Sequence, residues 1–108
     1  MALEKGDLIW VNIVNAQGHE MKDRHPGVVI SPTRYNQITG MATFCSITHT
    51  ARGNLLEVPI PQGLAIEGIV NISQIHTIDT SERKPQVVGK LNQETMNEIC
   101  KKLVAFFG

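Results

Sequence analysis

Arg24-His25-Pro26-Gly27-Val28-Val29-Ile30-Ser31-Pro32 is the stretch on which the fold turns. A polar, proton-handling pair runs into a short apolar run, and a second proline closes it. Val28, Val29 and Ile30 are β-branched and bounded by turn formers, which predicts a buried strand over Gly27 to Ile30. Pro26 removes one ladder donor and holds the residue before it extended. Arg24 and His25 are therefore expected at the mouth of a rigid strand. Such a position suits a catalytic or anion-binding group.

Working outward, the N-terminal side offers Leu8-Ile9-Trp10-Val11-Asn12-Ile13-Val14, introduced by the turn signal Gly6-Asp7. It is apolar and rich in strand formers, a first strand. Asn15 to His25 between the two is long for a hairpin loop, and long loops in small domains often carry function. On the C-terminal side, Ser31 as cap and Pro32 at the first helical position predict a short helix to Ile38, ended by Gly40. Met41 to Thr48 reads as a third strand. Thr50 to Asn54 is a polar turn, and Leu55 to Ile60 is a strand that Pro59 assigns to a sheet edge. Pro61-Gln62-Gly63 turns the chain again. Gly68 to Ile72 and Gln74 to Ile78 are either one bent strand or two short ones. Asp79 to Val88 is polar and charged.

The last stretch is helical. Asn92 is a good N-cap and Glu94 suits the positive end of the dipole. Met96, Ile99, Cys100, Leu103, Val104 and Phe107 then follow at spacings of three and four, an amphipathic helix from Gln93 to Phe107. Five or six short strands with tight turns, one small inserted helix and one terminal helix imply a mainly β protein with helices. The sheet should be small, antiparallel and strongly bent, or closed as a barrel, with the helix packed on it.

At 108 residues, with ten basic and ten acidic side chains, one domain spanning 1–108 is expected. Zero formal charge leaves no general basic field, so any nucleic-acid contact must come from a local patch. No apolar run approaches membrane-spanning length and the N-terminus lacks a secretory segment, so no membrane partner is expected. Cys45 and Cys100 are far apart in sequence and read as buried thiols of a reducing cytosol.

The chemistry is in the polar residues at strand ends. His19, His25, His49 and His76 have no metal-ligand spacing, and no Cys-x-x-Cys accompanies them. No Gly-rich phosphate loop or nucleophile elbow is present. His25 can take or give a proton, Arg24 can hold a phosphate by a two-point fork, and Thr48 can offer a hydroxyl. RNA cleavage needs this inventory. A base takes the 2′-hydroxyl proton, an acid supplies the leaving 5′-oxygen, and donors hold the added charge. The nucleophile is within the substrate, so no metal or other cofactor is called for. Trp10 fits a core or a dimer interface, His49 a surface and His76 a sheet.

Several ordered motifs carry a resemblance. Gly6-Asp7-Leu8-Ile9-Trp10-Val11, Gly18-His19-Glu20, Pro26-Gly27-Val28-Val29-Ile30-Ser31-Pro32 and Tyr35-Asn36 are similar to the start of MazF/PemK (Kid-type) toxins. Thr39-Gly40-Met41, Thr48, Gly53, Glu57-Val58, Gly68-Ile69-Val70, Gln74 and Thr77-Ile78-Asp79 continue the match over essentially the whole chain. The resemblance implies an SH3-like antiparallel β-barrel with appended helices, working as a cytoplasmic homodimer. It implies a metal-independent endoribonuclease that cuts single-stranded RNA, including mRNA, at short preferred sequences. The products are a 2′,3′-cyclic phosphate (or 3′-phosphate) and a 5′-hydroxyl. A labile antitoxin blocks such toxins with an acidic C-terminal segment.

The resemblance assigns His25, Arg24 and Thr48 to catalysis and His19, Glu20, Lys22, Arg52 and Gln74 to RNA contact. There are departures. The family usually has Arg directly before the proline of the second strand; here it is His25, with Arg24 one place back. Some members carry an Arg and an Asp in the segment before the Gln; here Asn71 and Ser73 stand there. Either His25 replaces the Arg as general acid or base with Arg24 or Arg52 supplying charge, or Arg24 turns into the site. The alternative function is a catalytically impaired homologue that binds RNA or antitoxin.

Overall fold

A computed structural model of the chain describes residues 2–12 and 24–108. The described elements are β1 (Asp7–Asn12), β2 (Arg24–Val29), α1 (Thr33–Thr39), β3 (Met41–Thr48), β4 (Glu57–Pro59), β5 (Ile69–Asp79), α2 (Thr80–Arg83), β6 (Gln86–Lys90) and α3 (Gln93–Phe107). The six strands form one curled antiparallel sheet in the order β4-β5-β3-β2-β1-β6, mainly β with helices as the patterning implied.

Both faces of the central strands are buried, which is why Leu8-Ile9 and Val28-Val29 are continuous apolar pairs rather than alternating ones. One cluster gathers Leu8, Val28, Cys45, Ile47, Val70 and Ile72 with Met96 and Ile99 of α3. The other gathers Leu3, Ile9, Val11, Val29, Ala42, Phe44 and Ile78. Burying a side chain such as Ile99 contributes about 1.5–3 kcal/mol. Burial pushes the Cys45 thiol up to about 12, with the neighbouring Cys100 adding to it, so Cys45 behaves as a small apolar group. Trp10 packs against the first cluster.

The strand of the opening motif starts earlier than its apolar residues. β2 begins at Arg24 and runs through Pro26, which pairs with Trp10 of β1. The β2–β3 ladder begins only at Gly27, so Pro26 lies where the strand has one partner and tolerates a missing donor. Ser31 is not the cap of α1; Pro32 holds that place without a side-chain bond. The Ser31 hydroxyl donates to Asn36 Oδ1 (2.6 Å) and accepts from Thr43 N–H (2.9 Å), tying α1 to β3 instead.

β3 and α3 have the bounds expected, with Asn92 capping α3 by accepting from Thr95 N–H. β4 is a sheet edge, as Pro59 implied. β5 is one bent strand. Cys45 pairs with Ile75 and Ile47 with Val70, so on the β3 side Asn71 to Gln74 stand against the single residue Ser46. That bulge bends the strand and curls the sheet. The polar segment Asp79 to Val88 holds two unexpected elements. Asp79 caps α2, and β6 forms the second edge. Gln86 and Val87 are exposed, so β6 leaves no apolar alternation to read.

Candidate active site

His25 and Thr48 share one face of the sheet, and a turn follows Thr48. Side chains alternate along a strand, so the odd positions of β2 share a face with Val29. His25 pairs with Val11, and both Val11 and Val29 belong to the Phe44 cluster. On β3 the same face carries Phe44, Ser46 and Thr48. Gly27 pairs with Ser46, and by strand alternation His25, two residues before Gly27, and Thr48, two residues after Ser46, lie on that same face. His25 is exposed and Thr48 half-buried.

Two glycines border this face. A Cβ on Gly27 would overlap the Phe44 ring edge. Gly68 has φ +134, and a Cβ there would lie 2.5 Å from the Thr48 carbonyl oxygen. Its absence lets the turn before β5 close on the backbone of Thr48. The Thr48 hydroxyl accepts from Thr50 N–H (3.2 Å), leaving its own proton to donate.

Arg24 takes the opposite face. The sequence put Arg24 and His25 together at a loop mouth; in a strand, neighbours diverge. The Arg24 guanidinium lies 5.8 Å from the Trp10 ring centroid, a cation–π distance, and donates to Gln86 Oε1. Trp10 pairs with Gln86 across β1 and β6, so these three side chains occupy one patch. The structure therefore puts His25 on the face of Thr48 and Arg24 on the other.

Arg52 is exposed in the turn that follows Thr48. Its backbone N–H and that of Gly53 both donate to the Glu57 carboxylate. Glu57 pairs with Asn71, and Thr48 and Pro59 with Ile69, which sets Glu57 on the face of Thr48. Gln74 is exposed in the β5 bulge. Asn71 and Ser73 hold each other there, with Asn71 Oδ1 accepting from the Ser73 N–H (3.2 Å) and hydroxyl (2.8 Å). His19, Glu20 and Lys22 lie outside the described residues. His49 is exposed, and His76 stacks on Phe44 at 5.3 Å. Among the described residues no group of three His, Cys, Asp or Glu side chains could hold a metal ion. No described helix is long and apolar enough to cross a membrane.

Sequence patterning gave Glu57 and Gly68 no part beyond their places in the motifs. The signal that could have found Glu57 is a lone acidic residue inside the apolar run Leu55 to Ile60, shortly after Gly53-Asn54.

A curled six-stranded sheet with a terminal helix, a His and a Thr on one face and a clamped turn beside them defines a small β-rich protein with a polar surface site. Residues 4–107 match the family model described as PemK-like, MazF-like toxin of type II toxin-antitoxin system, and the chain belongs to that family. It is 30% identical over 105 residues to the Endoribonuclease toxin MazF of Escherichia coli (strain K12), covering 97% of this chain and 94% of that protein. It is 25% identical over 105 residues to the Endoribonuclease PemK of Escherichia coli, covering 94% of this chain and 79% of the other. Among solved structures it is similar to MazF (Form-I) from Deinococcus radiodurans, with TM-score 0.86, 30% identity and coverage of 100% and 98%. MazE-MazF (Form-II) from the same organism is likewise similar, with TM-score 0.86, 27% identity and coverage of 100% and 97%.

Proposed function

We propose that this protein is an endoribonuclease toxin that cuts single-stranded RNA and is held in check by a cognate antitoxin. The observation that carries the reading is His25 on the same face as Thr48, beside the turn bearing Arg52, in a chain of this family. In the reaction, His25 takes the proton of the 2′-hydroxyl, whose oxygen attacks the adjacent phosphorus. The phosphorus–5′-oxygen bond breaks, and a proton returned to that oxygen gives a 5′-hydroxyl and a 2′,3′-cyclic phosphate. Thr48 donates to a phosphate oxygen and Arg52 supplies positive charge as the phosphorane forms. Arg24, on the opposite face, takes no part in this step, and Gln74 reads RNA from the bulge. His19, Glu20 and Lys22 extend the RNA contact.

No ion is required, because nucleophile and electrophile share one substrate. The protein works in the cytoplasm as a homodimer, and its antitoxin presents an acidic C-terminal segment. A partner is supported by apolar surface: Leu55, Val104 and Phe107 are 86%, 73% and 72% exposed. One observation favours a second reading, an impaired homologue that binds without cutting: His25 stands where the family usually has Arg.

The test is incubation of purified protein with a long RNA in EDTA. Site-specific cleavage by the wild type, reduced about 10²–10⁴-fold in His25→Ala, is expected. Binding without cleavage supports the second reading, and undiminished cutting by His25→Ala removes His25 from the mechanism.

A further inference from the structure

Between Thr48 and Glu57 the chain forms neither strand nor helix, so its backbone donors need other partners. Thr50 N–H donates to Thr48 Oγ1 (3.2 Å). Arg52 N–H donates to Glu57 Oε2 (2.9 Å) and Oε1 (3.2 Å), and Gly53 N–H to Oε1 (3.0 Å). Leu56 N–H donates to Asn54 Oδ1 (2.8 Å). From the far side, Lys102 Nζ of α3 donates to the carbonyls of Leu55 (2.8 Å) and Glu57 (3.3 Å). Glu57 is the hub, because two successive amides of the turn converge on its carboxylate. Gly53, at φ +73, supplies the left-handed backbone this convergence uses.

We propose that Glu57 is a positioning residue that sets which RNA sequences are cut. The proposal rests on the endoribonuclease reading and deepens it by naming the group behind selectivity. Glu57 does not touch the reacting phosphate. Successive amides of this kind make a concavity that binds anions. The Glu57 carboxylate fills it from within, so a substrate phosphate is denied the backbone amides. What the turn offers to RNA is then the exposed Arg52 side chain, at a fixed distance from Thr48. Hydrogen bonds to a charged acceptor are among the stronger ones, which suits a turn held before RNA arrives. A turn fixed in advance accepts few nucleotides next to the cut. A released turn adapts to more of them, and its ordering is charged against binding.

The test maps cut positions on one long RNA for wild type, Glu57→Ala, Glu57→Gln and Lys102→Met, with melting curves for all four. Glu57→Ala is expected to cut additional sequences and to raise KM on the preferred one about tenfold, with kcat changed less. Glu57→Gln keeps an oxygen that accepts from both amides and should largely restore the wild-type sites. Lys102→Met removes the α3 donor to the Leu55 and Glu57 carbonyls and leaves the Glu57 carboxylate in place. It should broaden the sites less, and it carries the comparison if the Ala variant does not fold. Wild-type cut sites and KM in folded Glu57→Ala, or in Lys102→Met where that variant stands in, overturn the proposal. A wild type that leaves RNA intact overturns the functional reading instead.

Discussion

Imidazole at position 25 can both take and give a proton, where guanidinium mainly holds charge. That difference places the demand for positive charge on another side chain. Arg24 is one residue away in sequence but across the sheet in space, engaged with Trp10 and Gln86. In the proposed reaction that demand falls to Arg52, exposed on the turn that follows Thr48. The other sensitive residue is Gly68, which holds a positive φ and borders the Thr48 carbonyl at 2.5 Å from its absent Cβ. Gly68→Ala should lower stability by about 1 kcal/mol or more and displace Thr48, so RNA cleavage should fall as well. Gly63 has φ +92 with open space around it. Gly63→Ala should therefore lose stability while keeping cleavage. Equal cleavage by both folded variants would show that Thr48 is not positioned through Gly68.

Elements differ in how much of their existence is local. α3 is written in its own sequence: the spacing of Met96, Ile99, Cys100 and Leu103 gives its face, and Asn92 its start. The Asn92 side chain accepts from Thr95 N–H at 2.8 Å. Asn92→Ala should cost about 1 kcal/mol, read as a lower melting temperature, with a smaller loss in Asn92→Ser. β5 and β6 are less local. The bulge at Asn71 to Gln74 depends on which β3 residue each half of β5 meets, and that meeting is remote in sequence. β6 exists because β1 offers it a free side, with Trp10 paired to Gln86 and Asp7 to Lys90.

Across the whole molecule, two carboxylates are held below their ordinary range, one by a distant segment and one by its own turn. A hydrogen bond from Lys90, reinforced by its charge, holds Glu4 below its ordinary range and joins the N-terminal segment to β6. The Ser81 hydroxyl, then the amides of Glu82 and Ser81, hold Asp79 below its own where β5 passes into α2. A group depressed in the folded state stabilises above its unfolded value and loses that contribution as pH falls through the folded value. Melting temperature should therefore hold steady down to about pH 5 and decline below about pH 4. Glu4→Gln should shallow the decline, by a small amount because solvent screens an exposed pair. An identical acid limb in wild type and Glu4→Gln would remove this ion pair from the account.

The sequence by itself determined a short helix following Pro32, the helix at Gln93 to Phe107, the strand at Met41 to Thr48, and the edge strand at Pro59. In each the period, the cap or the proline acts within a few residues of itself. It also carried the family motifs and the candidacy of His25 and Thr48. Tertiary structure alone decided that Arg24 and His25 part company, that β5 bulges opposite Ser46, and that β6 pairs at all. It also decided that the Glu57 carboxylate closes on Arg52 and Gly53. These depend on strand register and sheet curvature, which are set by partners far along the chain.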